Sequence, residues 1–374
     1  MQEATGSAVD SQRVPRVWLV LGDKAGDNVQ ARSLAGALPW PFIEKRVVPL
    51  PQWSTKKPKL EPSIDHLDLD RTDPLEGPWP DLVVAVGRVP TRCALWIKHQ
   101  TRGACRLVVI GKPRGAIDAF DLVVVASHYV VGPRPNVVKH ELPLMFTDET
   151  ALEEAKRIWA PRLDALPRPL VALMLGGGTR GLILDGAAAE RIHDEALSEA
   201  ENRGGSLFVT TSRRTAPDVV ERVRARVRDA DRFFAFDVGA KPEDNPYRGL
   251  LALADHFVVT LDSLSMLVDV ARLGGGLSIA PLDRRASPAE EALIRLRLWR
   301  RLDPRHDPIP TGGFEGRLMM HLGRPVHARD MSAVPRSLVA RGRAGWLGDP
   351  WTEPSGAIDD ERERIAARVR ALLA

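Results

Sequence analysis

Short apolar runs rich in β-branched residues alternate with segments of helical periodicity along most of the chain. One run covers residues 17–22 and another covers residues 256–262. Each stops at a small or polar turn and is followed by a helical pattern, which is typical of the strand–loop–helix unit of nucleotide-binding α/β domains. Because complete series surround both runs, the sequence predicts two Rossmann-like domains that face a shared cleft for a small ligand.

The apolar runs are nearly continuous, as parallel sheets covered on both faces require. In the first half we predict helices at 28–38 and 90–100 and strands at 17–22, 44–50, 81–87, 105–111, 121–127 and 136–139. In the second half we predict strands at 170–175, 206–212, 232–237, 256–262 and 277–282. Its predicted helices cover 187–202, 216–228, 246–254, 264–272 and 288–301, with a closing helix at 359–374.

The length of 374 residues suits about two domains of ~150 residues and a tail. The proline pair that ends at Pro169 predicts an inter-domain hinge. We expect a disordered tail at 1–13, a first Rossmann-like domain at 14–148, a linker helix at 149–168, a second Rossmann-like domain at 169–345 with a basic elaboration from about 284, and a terminal helical segment at 346–374.

The composition indicates a soluble globular protein, with 44% hydrophobic and 27% charged residues. No run approaches the ~18 apolar residues that a membrane span needs. The N-terminus lacks the apolar region of a secretory signal. Cys93 and Cys105 lie far apart without CxxC spacing, so we expect two core side chains rather than a disulfide or zinc site. These features favour a cytoplasmic protein.

The formal net charge of +4 permits anionic partners without choosing among them. No basic stripe is interleaved with aromatic residues, which argues against nucleic-acid binding. One amphipathic stretch could bring the protein to the inner membrane as a peripheral protein on anionic lipid, or could be a solvated helix face. Its contact residues would be Arg295, Arg297, Trp299, Arg300 and Arg301.

Residues 176–181 match G-x-G-x-x-G directly after an apolar strand. Glycines such as Gly177 and Gly178 let backbone N–H groups approach a phosphate, and Arg180 would add a charged donor. A plain tight turn is the alternative, since no helix clearly begins inside the motif. Ser212, Arg213 and Arg214 follow the next strand, where hydroxyls and two guanidiniums suit a diphosphate. A nearly equal alternative is that Ser212 or Thr215 caps a helix while the arginines lie in solvent.

Residues 262–266 end another strand of the same predicted sheet. Ser263, Ser265 and Met266 would lie at a helix N-terminus, whose N–H groups and dipole attract an anion. Ser263 as an ordinary N-cap is the alternative. Asp262 suits a diphosphate site only if it contacts a hydroxyl or orients the loop.

In the first half, Gly22, Asp23, Gly26 and Asp27 form the loop after the opening strand. Close backbone approach and carboxylates suit an acceptor hydroxyl, and either aspartate could act as a general base. Asp27 as a helix N-cap is the simpler alternative. Three more candidates follow other strand ends: Arg88, Lys112 and His128. A lone histidine near a strand end is more often structural than catalytic, although its pKa would suit acid–base chemistry.

Other kinds of site are excluded by missing motifs. The chain has no P-loop and no G-x-S-x-G nucleophile elbow. Its nine histidines are scattered without metal-ligand spacing. We therefore expect no tightly bound metal and no resident cofactor.

Several spaced motifs resemble one known family. They are Gly22-Asp23 with Gly26-Asp27 and Gln30, 81–88 (DLVVAVGR), 111–114 (GKPR), 120–124 (FDLVV), 245–247 (NPY) and 262–266 (DSLSM). Together they resemble the bacterial homologues of the plant mitochondrial-fission "elongated mitochondria" protein over about 15–282. Beyond Leu282, only 313–317 (GFEGR) matches loosely.

That family is similar in architecture to GT-B glycosyltransferases, which have two Rossmann-like domains and a terminal helix that crosses back to the first. The resemblance implies an acceptor site in the first domain and a UDP- or GDP-type nucleotide-sugar donor in the second. It also implies metal-independent chemistry. The donor site would be lined by Gly177, Gly178, Arg180, Ser212, Arg213, Asp262, Ser263, Ser265 and Met266.

Three functions remain open from the sequence. The first is a glycosyltransferase acting on a membrane-linked or envelope-glycan acceptor, with Asp23 or Asp27 as base. The second is a non-catalytic adaptor that kept the fold and binds a membrane or protein, as the plant protein is described. The third is a nucleotide-sugar epimerase or another dinucleotide enzyme, which depends on the single G-x-G-x-x-G motif.

Overall fold

A computed structural model describes residues 13–55, 60–113, 117–144, 148–179, 181–229, 232–237, 239–310, 313–322, 329–353 and 361–374. Apart from residue 13, the predicted tail lies outside the described residues. The chain forms two compact units. The first contains the described part of 1–124 with 136–138 and 361–374, and the second contains 125–135 and the described part of 139–360.

Six strands form the first sheet, in the order β2-β1-β3-β4-β5-β6. Their bounds are β1 Val17–Leu21, β2 Phe42–Arg46, β3 Leu82–Val86, β4 Arg106–Ile110, β5 Leu122–Ala126 and β6 Val137–His140. Every residue of β1, β3 and β5 is buried, which explains why these runs are continuously apolar. β1 lies between β2 and β3 in parallel register, so the strand order reverses beside β1.

Helices α1 Ala25–Ala35 and α3 Arg88–Gln100 follow β1 and β3. The short helix α2 Pro51–Thr55 lies in a segment that the pattern assigns to a loop. Cys93 and Cys105 are free and buried, as predicted, and burial raises the pKa of each thiol to about 12. Both cysteines therefore serve as small apolar core residues.

The second sheet has the order β12-β11-β10-β7-β8-β9. Its strands are β7 Leu170–Leu175, β8 Ser206–Thr211, β9 Phe233–Phe234, β10 His256–Thr260, β11 Gly276–Ala280 and β12 Gly345–Trp346. β7 pairs in parallel with both β8 and β10, so the order reverses between β7 and β10. Ligands of open α/β sheets bind beyond the carboxyl ends of the strands at such a reversal. The predicted two-sheet α/β class is confirmed.

Helices surround the second sheet within its unit. They are α4 Glu149–Leu163, α5 Gly186–Glu201, α6 Pro217–Arg226, α7 Tyr247–Leu253, α8 Leu264–Leu273, α9 Pro288–Arg295, α10 Gly313–His321 and α11 Ala333–Ala340. The segment predicted as a linker is α4, and it packs against α7 rather than standing between domains. Trp159 of α4 is buried against Gly249, where a Cβ atom would collide with the indole.

The segment after Leu282 is part of the second core. Ile309, Met331, Val334 and Leu338 are buried in it. The pattern did not predict α10, α11 or β12, because these elements of nine, eight and two residues are too short to show a period. The predicted helix 288–301 stops at Arg295, where the amides of Arg297 and Leu298 bond back to the last turn and Arg297 has φ 59°.

The terminal helix α12 Arg362–Arg370 belongs to the first unit and contacts α1. Ile365, Ala366 and Val369 are its buried residues. The predicted return of the C-terminal helix to the first domain is confirmed. Residues 346–353, which we assigned to this terminal segment, belong to the second unit instead.

A buried hydrogen bond joins α7 to α8. The Tyr247 hydroxyl donates to Asp269 Oδ2 at 2.7 Å. Burial raises the pKa of Asp269 to about 6, although the Tyr247 bond and the nearby Arg272 and Arg248 act in the opposite direction. Since α8 begins at residues 264–266, this bond fixes the helix whose N-terminus carries candidate site residues.

Asp269→Asn should change how stability depends on pH. In the wild type, the folded pKa of Asp269 exceeds its usual value of 3.8. The carboxyl therefore stabilises the fold fully below about pH 4, and that contribution is lost as the pH rises through about 6. Between these limits the wild type should lose about 3 kcal/mol more unfolding free energy than the variant. Urea denaturation across this pH range measures the difference, and parallel profiles would contradict the burial account.

Candidate functional site

The glycine loop, residues 176–179 and 181, follows β7 and is fastened to the end of β10. The amide of Gly176 donates to Thr260 Oγ1 at 2.8 Å, and the amide of Gly177 donates to Asp262 Oδ2 at 2.9 Å. Because β7 and β10 flank the point where the strand order reverses, these two bonds lie at the expected ligand position of the second sheet.

Close contacts explain why this loop is built from glycine. A Cβ atom at Gly176 would collide with the Asp262 carboxylate, and one at Gly177 would collide with the Arg214 backbone. Gly178 has φ 63°, a left-handed backbone conformation that glycine adopts without the steric cost of a side chain. Arg180 lies outside the described residues. The loop is thus a closely packed turn, and these contacts explain its glycines.

Arg214 and Thr215 hold the loop from the β8 side. Arg214 contacts Thr179 Oγ1 at 3.2 Å and Asp262 Oδ2 at 3.5 Å. Thr215 Oγ1 donates to the carbonyl of Leu175 at 3.2 Å. Ser212 Oγ accepts from the Arg214 amide at 3.2 Å, so this predicted donor-binding residue also shapes its own turn.

Arg213 differs from its neighbour. Its side chain is exposed and makes no hydrogen bond or ion pair with any described residue. One guanidinium is therefore committed to the fold and the adjacent one is available to a ligand. Sequence alone could not distinguish the two, since both follow β8 in the same turn.

The N-terminus of α8 lies directly after Asp262. Ser263 is buried and is the N-cap residue of α8 by position, but its hydroxyl makes no capping hydrogen bond. Ser265 is exposed and Met266 is half-buried in the first turn. The first amides of a helix have no partners within it and carry a partial positive charge. This end of α8 can therefore accept an anion.

Asp262 acts on the loop. Its side chain is fully buried, accepts from Gly177 and pairs with Arg214. Its Oδ1 atom has no hydrogen-bond partner among the described residues. The carboxylate thus orients the glycine loop, which was one of the two roles considered for it.

A dinucleotide fingerprint is not formed here. Helix α5 begins only at Gly186, and Asp185 caps it by accepting from the Ala188 amide. In a dinucleotide fold, the helix would begin inside the glycine motif and direct its N-terminus at the pyrophosphate. The local geometry therefore disfavours a dinucleotide-binding enzyme, the part of the third function that depended on this motif.

The first unit has a corresponding group of loops. Asn28 Nδ2 donates to the carbonyl of Gly22 at 3.0 Å, which closes the turn from β1 into α1. Asp23 is exposed, and Asp27 lies in the first turn of α1. Gly87, with φ 86°, ends β3 so close to Asp27 that a Cβ atom there would lie 2.8 Å from Asp27 Oδ2. Asp27 is therefore at the β1–β3 reversal, whereas Gly26 is exposed with open space at its Cβ position.

The remaining first-half candidates have different environments. Arg88 is exposed in the first turn of α3, and burial lowers the pKa of the half-buried Lys112. His128 belongs to the second unit rather than the first, and its burial lowers its pKa to about 3. It is neutral at physiological pH, so the structural interpretation of His128 replaces the acid–base one.

The basic stretch after α9 is only partly available to a partner. Arg300 pairs with Asp307, and Arg301 pairs with Glu291 at 2.9 Å. Trp299 packs between Phe314 and Arg317. The exposed part is the segment 295–298, with Leu296 and Leu298 68% and 67% exposed.

None of the helices among the described residues is long and apolar enough to cross a membrane. Within the same residues, no group of three or more His, Cys, Asp or Glu side chains is placed to hold a metal ion.

Comparison with known proteins identifies the family. The model of the mitochondrial fission ELM1 family matches residues 25–311. The chain belongs to this family. It is 26% identical over 226 residues to the mitochondrial fission protein ELM1 of Arabidopsis thaliana, a match that covers 54% of this chain and 52% of that protein. The chain thus spans about half the length of this ELM1 relative.

Solved structures with similarity to this ELM1-family chain include two sugar-nucleotide enzymes. One is the UDP-GlcNAc 2-epimerase of Neisseria meningitidis bound to UDP-GlcNAc, at 12% identity and a TM-score of 0.48, covering 96% of this chain and 99% of that one. The other is the ADP-heptose LPS heptosyltransferase II of E. coli, at 10% identity and a TM-score of 0.39, covering 71% and 84%.

Gly177→Ala should destabilise the protein because the added methyl group meets the Arg214 backbone. We expect the unfolding free energy to fall by about 1–3 kcal/mol, the usual cost of overpacking. Gly132→Ala is the matched control, since nothing lies within 4 Å of its Cβ position. Chemical denaturation measures both variants. Equal stability of the two would show that the loop can move away from Arg214.

Proposed function

We propose that the second unit binds the diphosphate of a nucleotide sugar between the glycine loop and the N-terminus of α8. The supporting observation is the pair of bonds from Gly176 and Gly177 to Thr260 and Asp262, which hold the two elements together at the β7–β10 reversal. The first amides of α8 and the exposed Arg213 would supply donors for a diphosphate, and the Gly178 amide would add one from the loop.

The proposed reaction is transfer of the sugar to a hydroxyl acceptor. The acceptor oxygen attacks the anomeric carbon, and the bond from that carbon to the diphosphate oxygen breaks. The diphosphate leaves with the electron pair, and helix amides and Arg213 stabilise its charge. Asp27 or Asp23 accepts the hydroxyl proton. Because cationic and N–H donors supply the stabilisation, the proposed transfer is metal-independent.

Asp27 is the stronger candidate base. It lies at the reversal of the first sheet beside Gly87, where ligands of such sheets bind, whereas Asp23 is exposed. The acceptor assigned to it is a membrane-linked or envelope-glycan hydroxyl group. Asp27→Asn should abolish transfer while nucleotide binding persists, since the amide cannot take up the proton.

Arg213→Ala should weaken nucleotide binding without unfolding the protein. Loss of a charge-assisted contact to the diphosphate predicts about tenfold or more weaker binding, and Ser265→Ala predicts a smaller loss. Isothermal titration with UDP, GDP, ADP and their sugar conjugates measures both variants. Arg228→Ala is the matched control, because Arg228 is 84% exposed on the same unit and pairs only at 3.7 Å with Glu201.

Two results would contradict the donor site. One is a well-folded wild type that binds none of these nucleotides. The other is nucleotide binding that both Arg213→Ala and Ser265→Ala leave unchanged, which would place the nucleotide elsewhere.

A second candidate function is a non-catalytic adaptor that binds an anionic membrane surface. It is favoured by the segment 295–298, in which the exposed Leu296 and Leu298 alternate with Arg295 and Arg297. Apolar side chains flanked by arginines suit the boundary of anionic headgroups and acyl chains. Deleting 284–345 would not test this function, since that region supplies core residues such as Ile309 and Val334.

The double substitution Leu296→Ser with Leu298→Ser tests the adaptor instead. Sedimentation with phosphatidylserine-containing vesicles should show about tenfold or more weaker binding, because two leucines no longer enter the bilayer. Leu69→Ser, at a leucine 61% exposed in the first unit, is the control. Vesicle binding that the double variant retains would exclude this segment as the membrane contact.

A further inference from the structure

The second unit also contains a cavity that is lined by none of the proposed donor-site residues. Its volume is about 720 Å³, and its walls come from α5, the segment after β11 and the segment 301–305. This volume lies in the range of sites for small metabolites. The amide of Arg285 bonds to the carbonyl of Gly181, and that of Ile183 bonds to Asp283, so the cavity wall adjoins the far end of the glycine loop.

Two buried arginines line this cavity and share one carboxylate. The side chains of Arg284 and Arg317 are 4% and 12% exposed. Their nearest carboxylate, Glu290, is fully buried at 2.8 Å from Arg284 and 3.8 Å from Arg317. Glu290 also accepts a hydrogen bond from the Ser287 amide, which fixes it as part of a capping box.

The positive charge in this place is only partly compensated. Arg284 Nε and Nη2, Arg317 Nη1 and Glu290 Oε1 have no hydrogen-bond partner among the described residues, although Glu290 forms ion pairs with both arginines. Arg317 also contacts the Trp299 ring and donates to the carbonyl of Arg300. Burial is the largest influence on Arg317 and lowers its pKa, while Glu290 and Asp307 act in the opposite direction. Two largely buried guanidiniums that share the single charge of Glu290 would be stabilised by an anion between them. Arginine forks are suited to phosphate oxygens.

The other walls indicate more than a bare anion. Glu195, Asp283 and Asp303 can accept hydrogen bonds from hydroxyl groups, and Leu282 and Leu302 supply apolar surface. We propose that this cavity binds a small phosphorylated, hydroxyl-bearing metabolite, with its phosphate on Arg284 and Arg317. The site goes beyond the nucleotide-sugar function and does not depend on it.

Two substitutions remove the site by different means. Arg284→Met leaves Glu290 paired with Arg317, so the buried charges balance and the fold should persist. Ala286→Trp introduces an indole into the cavity from its wall and changes no charge. The first variant removes the phosphate contact, and the second blocks the space.

The experiment is isothermal titration of the full chain with glucose 6-phosphate, with glucose and inorganic phosphate as further probes. We expect binding of glucose 6-phosphate, weaker binding of phosphate and none of glucose. Arg284→Met and Ala286→Trp should each weaken glucose 6-phosphate binding by about tenfold or more, while Arg213→Ala should not change it.

Three results would overturn the proposal. They are a wild type that binds neither glucose 6-phosphate nor phosphate, binding that survives both cavity substitutions, and binding lost only in Arg213→Ala. The last result would place the phosphate at the glycine loop, which would contradict this cavity site and support the nucleotide site. If no nucleotide binds but glucose 6-phosphate binds and both cavity substitutions weaken that binding, the cavity site is supported and the nucleotide site is contradicted.

Discussion

The buried carboxylate of Asp262 is the contact on which the candidate donor site depends. It receives the Gly177 amide and pairs with Arg214, so it joins three strand ends of the second sheet. Removing the partners of a buried carboxylate strongly destabilises the fold, because its charge is left uncompensated. The nearby glycines fit this arrangement, because a side chain at Gly176 would occupy the position of the carboxylate. The loop and the N-terminus of α8 are thereby held in one conformation before any ligand binds.

The same principle orders the rest of the second unit. The Tyr247–Asp269 bond fixes α8 against α7, and α7 packs in turn on α4. This gives the 245–247 motif a positioning role, since the Tyr247 hydroxyl is bonded to Asp269 of α8. In the first unit, Gly87 brings β3 against Asp27 at the corresponding reversal of strand order. Each sheet therefore places its candidate site residues at the point where its strand order reverses.

Much of this fold could be predicted from the sequence, because the central strands are short, apolar and fully buried. The elements after Leu282 could not, since α11 contributes only a few buried residues, such as Val334 and Leu338, to a core formed mainly by distant strands. The site shows the same limit. The sequence locates the loops, yet the bond between Gly177 and Asp262 joins residues 85 positions apart. Whether Arg213 or Arg214 is available, and whether His128 can titrate, depends on tertiary packing.

Hydrogen–deuterium exchange with and without a nucleotide diphosphate tests the central claim most directly. Saturating UDP or GDP should slow exchange at the amides of Gly178 and of 264–266, because these groups would donate to the diphosphate. The amides of Gly176 and Gly177 should change less, since they already donate to Thr260 and Asp262. If a nucleotide binds and protection develops elsewhere while the amides of Gly178 and of 264–266 exchange unchanged, the proposed cradle does not hold the diphosphate.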